Sequence, residues 1–255
     1  MFAHLTKKID QILHGEITHS ETKHTPGIGI SIRDLGLLIL ILGALSGLGI
    51  GSYAFLRTLF TDGETNGGEL MQSISSGLKV PLLFLTTLCV TMPSLYVFNA
   101  LAGSHLKIDT VLRLLMGMMT VTLVVMCSLV PIIMFFSLST PNYYFIKILT
   151  VAVCMLGGIL GLVFMRKTLK ALKPETAARR TSEETLEDIT QEIKQYLPRM
   201  IFGAWILAFG LVGMQMSWLM RPFIGREGEE FSWFRTPESN FFVNVIQSIG
   251  RLFGA

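Results

Sequence analysis

Polar and apolar positions in this chain fall into long blocks, not into the short alternations of a soluble fold. From Val80 to Leu106 there is no Asp, Glu, Lys or Arg, and from Leu114 to Ile146 there is none again. A helix needs about 20 predominantly apolar residues to cross roughly 30 Å of hydrocarbon, so each block is long enough to span a bilayer. The pattern predicts five spans: Leu35 to Leu56, Lys79 to Ala102, Val111 to Ser137, Tyr143 to Met165 and Met200 to Met220. Shorter amphipathic patterns flank them. Phe2, Leu5, Ile9, Ile12 and Leu13 share a helical face ended by Gly15. Leu186, Ile189, Ile193 and Leu197 form a second face before Pro198, opened by a Thr181/Glu184 capping box. A third follows Thr236-Pro237, which read as an N-cap and first helical residue; its apolar side carries Phe242, Val245, Ile246, Ile249, Leu252 and Phe253.

The predicted fold class is therefore all-α: a polytopic transmembrane helical bundle with about five spans plus amphipathic interfacial helices. Residues 1–33 form an N-terminal segment, 34–220 the bundle with a polar segment at 166–199, and 221–255 an interfacial tail.

Small residues and prolines punctuate the spans. Gly43, Gly47 and Gly51 recur every fourth residue in span one, and Gly157 and Gly161 repeat the spacing in span four. Such stripes let helix backbones approach closely, either inside one chain or across a dimer seam. Pro81 falls in the first turn of span two, where a missing N–H costs little. Pro93 and Pro131 are mid-span and kink their helices, with Thr86, Thr87, Thr91, Ser94 and Ser128 nearby to bond freed backbone groups. Two kinked neighbours could frame a cavity lined by Thr86, Thr91, Ser94, Asn99 and Ser128, or could simply shape the bundle. Tyr143 and Tyr144 fit an interfacial aromatic anchor after a tight turn at Ser139–Asn142.

Composition agrees with this pattern. Hydrophobic residues make up 51% and charged residues 15%, with a mean hydropathy of +0.56; soluble domains carry about 25% charged residues. The first apolar run starts after residue 33 and lacks a cleavage pattern, which predicts a retained helix and not a signal peptide. The net charge of +3 is modest, but its distribution is polarised. Two thirds of the Lys and Arg residues cluster in 1–33, at Lys107 and Arg113, and in 166–199, while the acidic 61–69 loop lies on the other side. The positive-inside rule then places the N-terminus in the cytoplasm and the C-terminus outside.

Candidate chemistry is sparse. Cys89, Cys127 and Cys154 all lie within spans, with no Cys-x-x-Cys, and buried thiols act mainly as small hydrophobes. His14, His19 and His24 are five apart and do not share a helix face. The methionines around Met116–Met119 and Met214–Met216 could bind Cu(I), but methionine in a bilayer is chiefly packing material. No phosphate loop, His-Glu-x-x-His or Gly-x-Ser-x-Gly occurs. No span places an acidic or basic residue near its middle, where proton relays and coupled transport need one. Asp109 and Arg113 are spaced for an i,i+4 pair opening span three. These patterns predict no cofactor, no metal, no catalytic residue and no nucleic-acid partner.

Gly103-Ser-His-Leu-Lys-Ile-Asp-Thr-Val-Leu-Arg-Leu-Leu115, the short polar turn before span three, resembles the corresponding turn of Yip1-like membrane proteins, and the five-span pattern over residues 30–220 is similar to theirs. Asp34-Leu-Gly-Leu37 departs from the Asp-Leu-x-Gly-Pro signature of eukaryotic members, so a trafficking role does not carry over. The tail, with Arg221-Pro-Phe-Ile-Gly225, Phe234-Arg235 and Asn240-Phe-Phe242, resembles tails of bacterial membrane proteins and implies a bacterial cytoplasmic membrane.

The expected function is a non-enzymatic integral membrane scaffold or anchoring subunit, whose partners are the lipid bilayer and other membrane subunits or itself. The alternative is a small pore or permease along the kinked second and third spans. Trp218, Arg221, Pro222, Trp233, Phe234, Phe242, Ile246 and Ile249 are the expected interfacial or partner-binding residues of the tail.

Overall fold

The computed structural model describes residues 10, 30–61, 67–101, 108–140, 142–171, 205–225, 231–235 and 240–252. The expected amphipathic helices at 2–13 and 181–198 fall outside the described residues, as do His14, His19, His24 and the Gly103–Lys107 part of the turn. Among the described residues the elements are helical: α1 Ile32–Gly51, α2 Tyr53–Thr61, α3 Gly68–Leu101, α4 Ile108–Ser139, α5 Tyr143–Ala171, α6 Trp205–Leu219 and α7 Phe241–Leu252. Helices α1, α3, α4 and α5 are long and apolar enough to cross a membrane, whereas α6 is a shorter apolar helix.

α1 begins at Ser31, whose hydroxyl accepts from the Asp34 N–H and satisfies one of the free donors of the first turn. Span one was expected to continue to Leu56, but the helix stops at Gly51. Ser52 turns its hydroxyl back onto the Gly49 carbonyl at 2.8 Å, and α2 starts afresh at Tyr53. The larger correction concerns span two. α3 begins at Gly68 and runs for 34 residues, so Lys79 is interior and Pro81 is not in a first turn. Pro81 therefore removes a helical donor from the Gly77 carbonyl. The Gln-, Ser- and Gly-containing stretch 72–77, which lies before the expected start of span two, is part of this helix.

In space, α1 lies between α3 and α4, and α4 lies between α1 and α5. α6 runs beside α3: the Trp205 indole N–H donates to Ser94 Oγ at 3.1 Å, and Gly213 lies by Thr87. α7 packs on α5. In the order α6, α3, α1, α4, α5, α7, spans two and three touch over a short stretch only, and each packs mainly on α1 or α5.

The spanning helices alternate in direction, which defines two ends. At one end Arg113 donates to the Ile30 carbonyl at 2.9 Å, tying α4 to the start of α1, where an i,i+4 pair with Asp109 was expected. At the other, Tyr53 meets Tyr143 with ring centroids 6.1 Å apart. Asn142 caps α5 there, its carbonyl oxygen accepting from the Tyr144 and Phe145 N–H groups.

The core centres on α4, where Leu114, Leu115, Met119, Leu123 and Ile133 are almost fully buried between α1 and α5. The glycine stripes lie in seams within this chain. A Cβ on Gly43 would come within 3.0 Å of Pro81, one on Gly47 would collide with the Ser76 carbonyl, and one on Gly51 would sit 2.7 Å from Ser76 Cβ. Gly157 and Gly161 face Thr122 and Met118 of α4 in the same manner. Without a driving force from water, such close backbone packing is what holds helices together in lipid.

Candidate functional site

A densely hydrogen-bonded polar region lies on α3, on a side that borders the α1 glycine seam at Ser76. Gln72, Ser75, Ser76 and Lys79 are spaced i, i+3, i+4 and i+7, so one helix face carries them all. All four are buried, with Lys79 only 3% exposed. Sequence reading missed this group, although the same spacing is visible in Gln-x-x-Ser-Ser-x-x-Lys. Lys79 is the expected first residue of span two.

What covers this face is the chain that follows α6. At Met220 the helix ends, the Arg221–Pro222 bond is cis, and the backbone folds back over α3. Gln72 Nε2 donates to the Pro222 carbonyl at 2.9 Å, and Lys79 Nζ donates to the same carbonyl at 3.1 Å. The Lys79 ammonium also donates to the Trp233 carbonyl and stands 5.2 Å from the centre of the Phe234 ring. Ser76 Oγ lies 2.5 Å from the Phe223 carbonyl and 3.0 Å from that of Gln72. The two limbs of this strap, 221–225 and 231–235, are joined by the Arg235 N–H donating to the Arg221 carbonyl at 3.4 Å. Gly225 permits the close approach: a Cβ there would sit 3.0 Å from Gln72 Cγ and 3.1 Å from Ala54 Cβ. One element thus supplies donors and the other carbonyl oxygens.

Trp218, one of the expected interfacial residues, is buried, and the centre of its ring lies 4.0 Å from the Arg221 guanidinium carbon, a cation–π stack at the root of the strap. Pro222 contributes its carbonyl, as described, while Trp233 and Phe234 keep exposed rings. Nearby, Thr58 Oγ1 donates to Glu69 Oε1 at 2.7 Å and fastens α2 to the start of α3.

A second lysine inside a spanning helix is covered by the same tail. Lys147 lies in the second turn of α5 and donates to Asn244 Oδ1 of α7. Arg251, two turns further along α7, donates to the Tyr144 hydroxyl at 2.6 Å and lies 5.4 Å from that ring's centre. α7 is capped by Asn240, whose side chain accepts from the Val243 N–H at 3.0 Å, and so starts later than the Thr236-Pro237 pair suggested. Its polar side, with Asn244 and the buried Ser248, turns toward the bundle, and Phe242, Ile246 and Ile249 are exposed.

The residues expected to line a path do not converge. Thr91 is buried and donates to the Thr87 carbonyl, Ser94 donates to the Thr91 carbonyl, and Ser128 is exposed on α4 and donates to the Val125 carbonyl. Pro93 and Pro131 are exposed on separate helices. Asn99 belongs to the last turn of α3, and its side chain lies outside the described residues. Among the described residues, no three His, Cys, Asp or Glu side chains are grouped as a metal site requires.

No protein-family model matches the chain, and no curated protein or solved structure matches it significantly. The functional reading therefore rests on the geometry alone.

Proposed function

We propose that this integral membrane protein is a non-enzymatic scaffold or anchoring subunit of a membrane complex, built as a bundle whose polar groups serve its own architecture. The observation that carries this reading is the direction of the buried hydroxyls. Ser46, Thr87, Thr91, Thr120, Thr122, Ser137, Thr150 and Thr168 each donate to a carbonyl one turn back on their own helix. A conducting path needs polar groups turned toward a passage, as in selectivity filters and aqueous pores. Here α1 also packs against both of the proline-containing helices.

In this proposal the Arg113 end faces the cytoplasm, in keeping with the distribution of basic residues. The Yip1-like resemblance supports a cytoplasmic N-terminus, and the resemblance of the tail to bacterial membrane proteins supports a bacterial inner-membrane setting. Exposed apolar side chains on the spanning helices, such as Leu40 and Leu45 on α1 and Met155 and Ile159 on α5, are available to lipid or to helices of partner subunits.

Two measurements on the full-length protein test the reading. Purification in mild detergent at native expression level is expected to bring down stoichiometric membrane chains or a defined homo-oligomer. Proteoliposomes containing the protein alone are expected to show the ion and small-solute leak of empty vesicles. Saturable flux that Thr91→Val or Ser94→Ala alters would overturn the scaffold reading in favour of a pore.

A further inference from the structure

We infer that α7 is an interfacial helix that lies half-immersed in the lipid leaflet at the Tyr143 end of the bundle, with Phe242, Val243, Ile246 and Ile249 in contact with acyl chains. The usual surface helix of a soluble protein buries its apolar stripe and exposes its polar one. α7 does the reverse. Asn244, Ser248 and Arg251, at i, i+4 and i+7, form the side held to the bundle. Ser248 is 3% exposed while Ile246 is 68% exposed. In water this orientation would leave the larger part of the apolar face solvated, a loss of about 25 cal/mol for each Å² of apolar surface that burial could have removed. In lipid the balance changes sign: the apolar face gains an apolar solvent, and the polar side chains need protein partners.

The location of those partners selects lipid as the occupant. Asn244 and Arg251 are seven residues, roughly 10 Å, apart along α7, whereas Lys147 and Tyr144 are three residues, roughly 4.5 Å, apart along α5. This is the contact pattern of a helix laid across the end of a spanning helix, not along its side. The level is that of Tyr144 and Lys147, a tyrosine and a snorkelling cation at the edge of an apolar span, where the headgroup boundary is expected. An amphipathic helix at that depth buries its apolar face about 5–10 Å into the headgroup and acyl boundary. By this arrangement α7 also supplies the Lys147 ammonium with an oxygen that the hydrocarbon cannot.

The test uses the full chain, with Cys89, Cys127 and Cys154 replaced by Ala, reconstituted into vesicles of phosphatidylcholine and phosphatidylglycerol. Nitroxide labels are placed at Ile246→Cys, Ile249→Cys and, on the flank between, Gln247→Cys. Labels at 246 and 249 are expected to collide with dissolved oxygen in preference to a water-soluble nickel chelate, and the label at 247 to show the opposite ratio. Chelate-dominated collisions at 246 and 249 would place α7 in water and overturn the inference. Exclusion of both reagents there would also overturn it, by showing a protein partner or a second copy on this face. A parallel readout keeps the native cysteines: Ile246→Trp should add fluorescence that brominated lipid quenches and acrylamide does not, and the reverse sensitivity would reject lipid contact. Each outcome is independent of whether the bundle scaffolds or conducts.

Discussion

Helix α3 is held on two sides by opposite means. Toward α1 it meets Gly43, Gly47 and Gly51 with Ser73, Ser76, Gly77 and Pro81, so closely that added Cβ atoms would clash with backbone. Toward the strap it offers Gln72, Ser76 and Lys79 to the Pro222, Phe223 and Trp233 carbonyls. The first contact is mainly shape, with one hydrogen bond from the Ser73 hydroxyl to the Leu48 carbonyl at 3.0 Å, and it fails wherever a side chain intrudes. The second is hydrogen bonding, and it fails when a donor is removed and a carbonyl is left without a partner. Interhelical hydrogen bonds in membranes are worth about 0.6–2 kcal/mol each, so the strap side should yield in small steps and the glycine side abruptly.

The largest effect is expected on the glycine side. Gly47→Leu must separate α1 from α3, because the Ser76 carbonyl and the Gly77 Cα, 2.8 Å from the added Cβ, are backbone and cannot swing aside. Overpacking commonly costs about 1–3 kcal/mol and more where backbone must move. Size-exclusion profiles and melting curves in detergent should show aggregation or a large fall in Tm, with Leu40→Ile on the exposed side of α1 unchanged. A Gly47→Leu protein that melts like the wild type would remove the distinction between the two faces.

A smaller loss, about 2 kcal/mol, is expected from Lys79→Met, which keeps the length of the side chain but deletes the donor to two carbonyls. The strap should loosen while the bundle stays inserted. Trypsin cleavage after Arg235 in detergent is the readout, with faster cutting than in the wild type. Equal rates would mean that the strap is held by its aromatics and not by the ammonium.

Gln72→Leu removes one neutral hydrogen bond to Pro222 and is expected to cost about 1 kcal/mol. Combined with Lys79→Met, which shares that carbonyl, the effects should be more than additive, because each single substitution leaves Pro222 one of these donors and both together leave it neither. Strict additivity in melting free energies would argue that the two donors act separately. The smallest effect, within about 0.5 kcal/mol, is expected for Ser128→Ala, an exposed hydroxyl returned to its own helix.

Membrane-crossing helices were legible in the sequence because a run of about 20 apolar residues needs no tertiary context to be recognised. The Gly43, Gly47, Gly51 and Gly157, Gly161 stripes could be read for the same reason, since spacing alone puts them on one side of a helix. Their partner could not: a stripe of small residues fits a neighbour in the same chain or in another, and only the folded chain places Ser76 and Thr122 against them. The extension of α3 back to Gly68 was hidden as well. Residues 72–77 have weak helical character on their own, and the strap carbonyls that bond the Gln72 and Ser76 side chains lie about 150 positions away in the chain.

The same division runs through the tail. Sequence spacing alone determined that α7 has one apolar and one polar side, because 3.6 residues per turn sorts them without reference to anything else. Which side faces the protein was a tertiary decision. It depends on Lys147 and Tyr144 standing where α7 arrives, and a charged or hydroxyl group at the end of a spanning helix draws the polar side inward when the surrounding solvent is hydrocarbon.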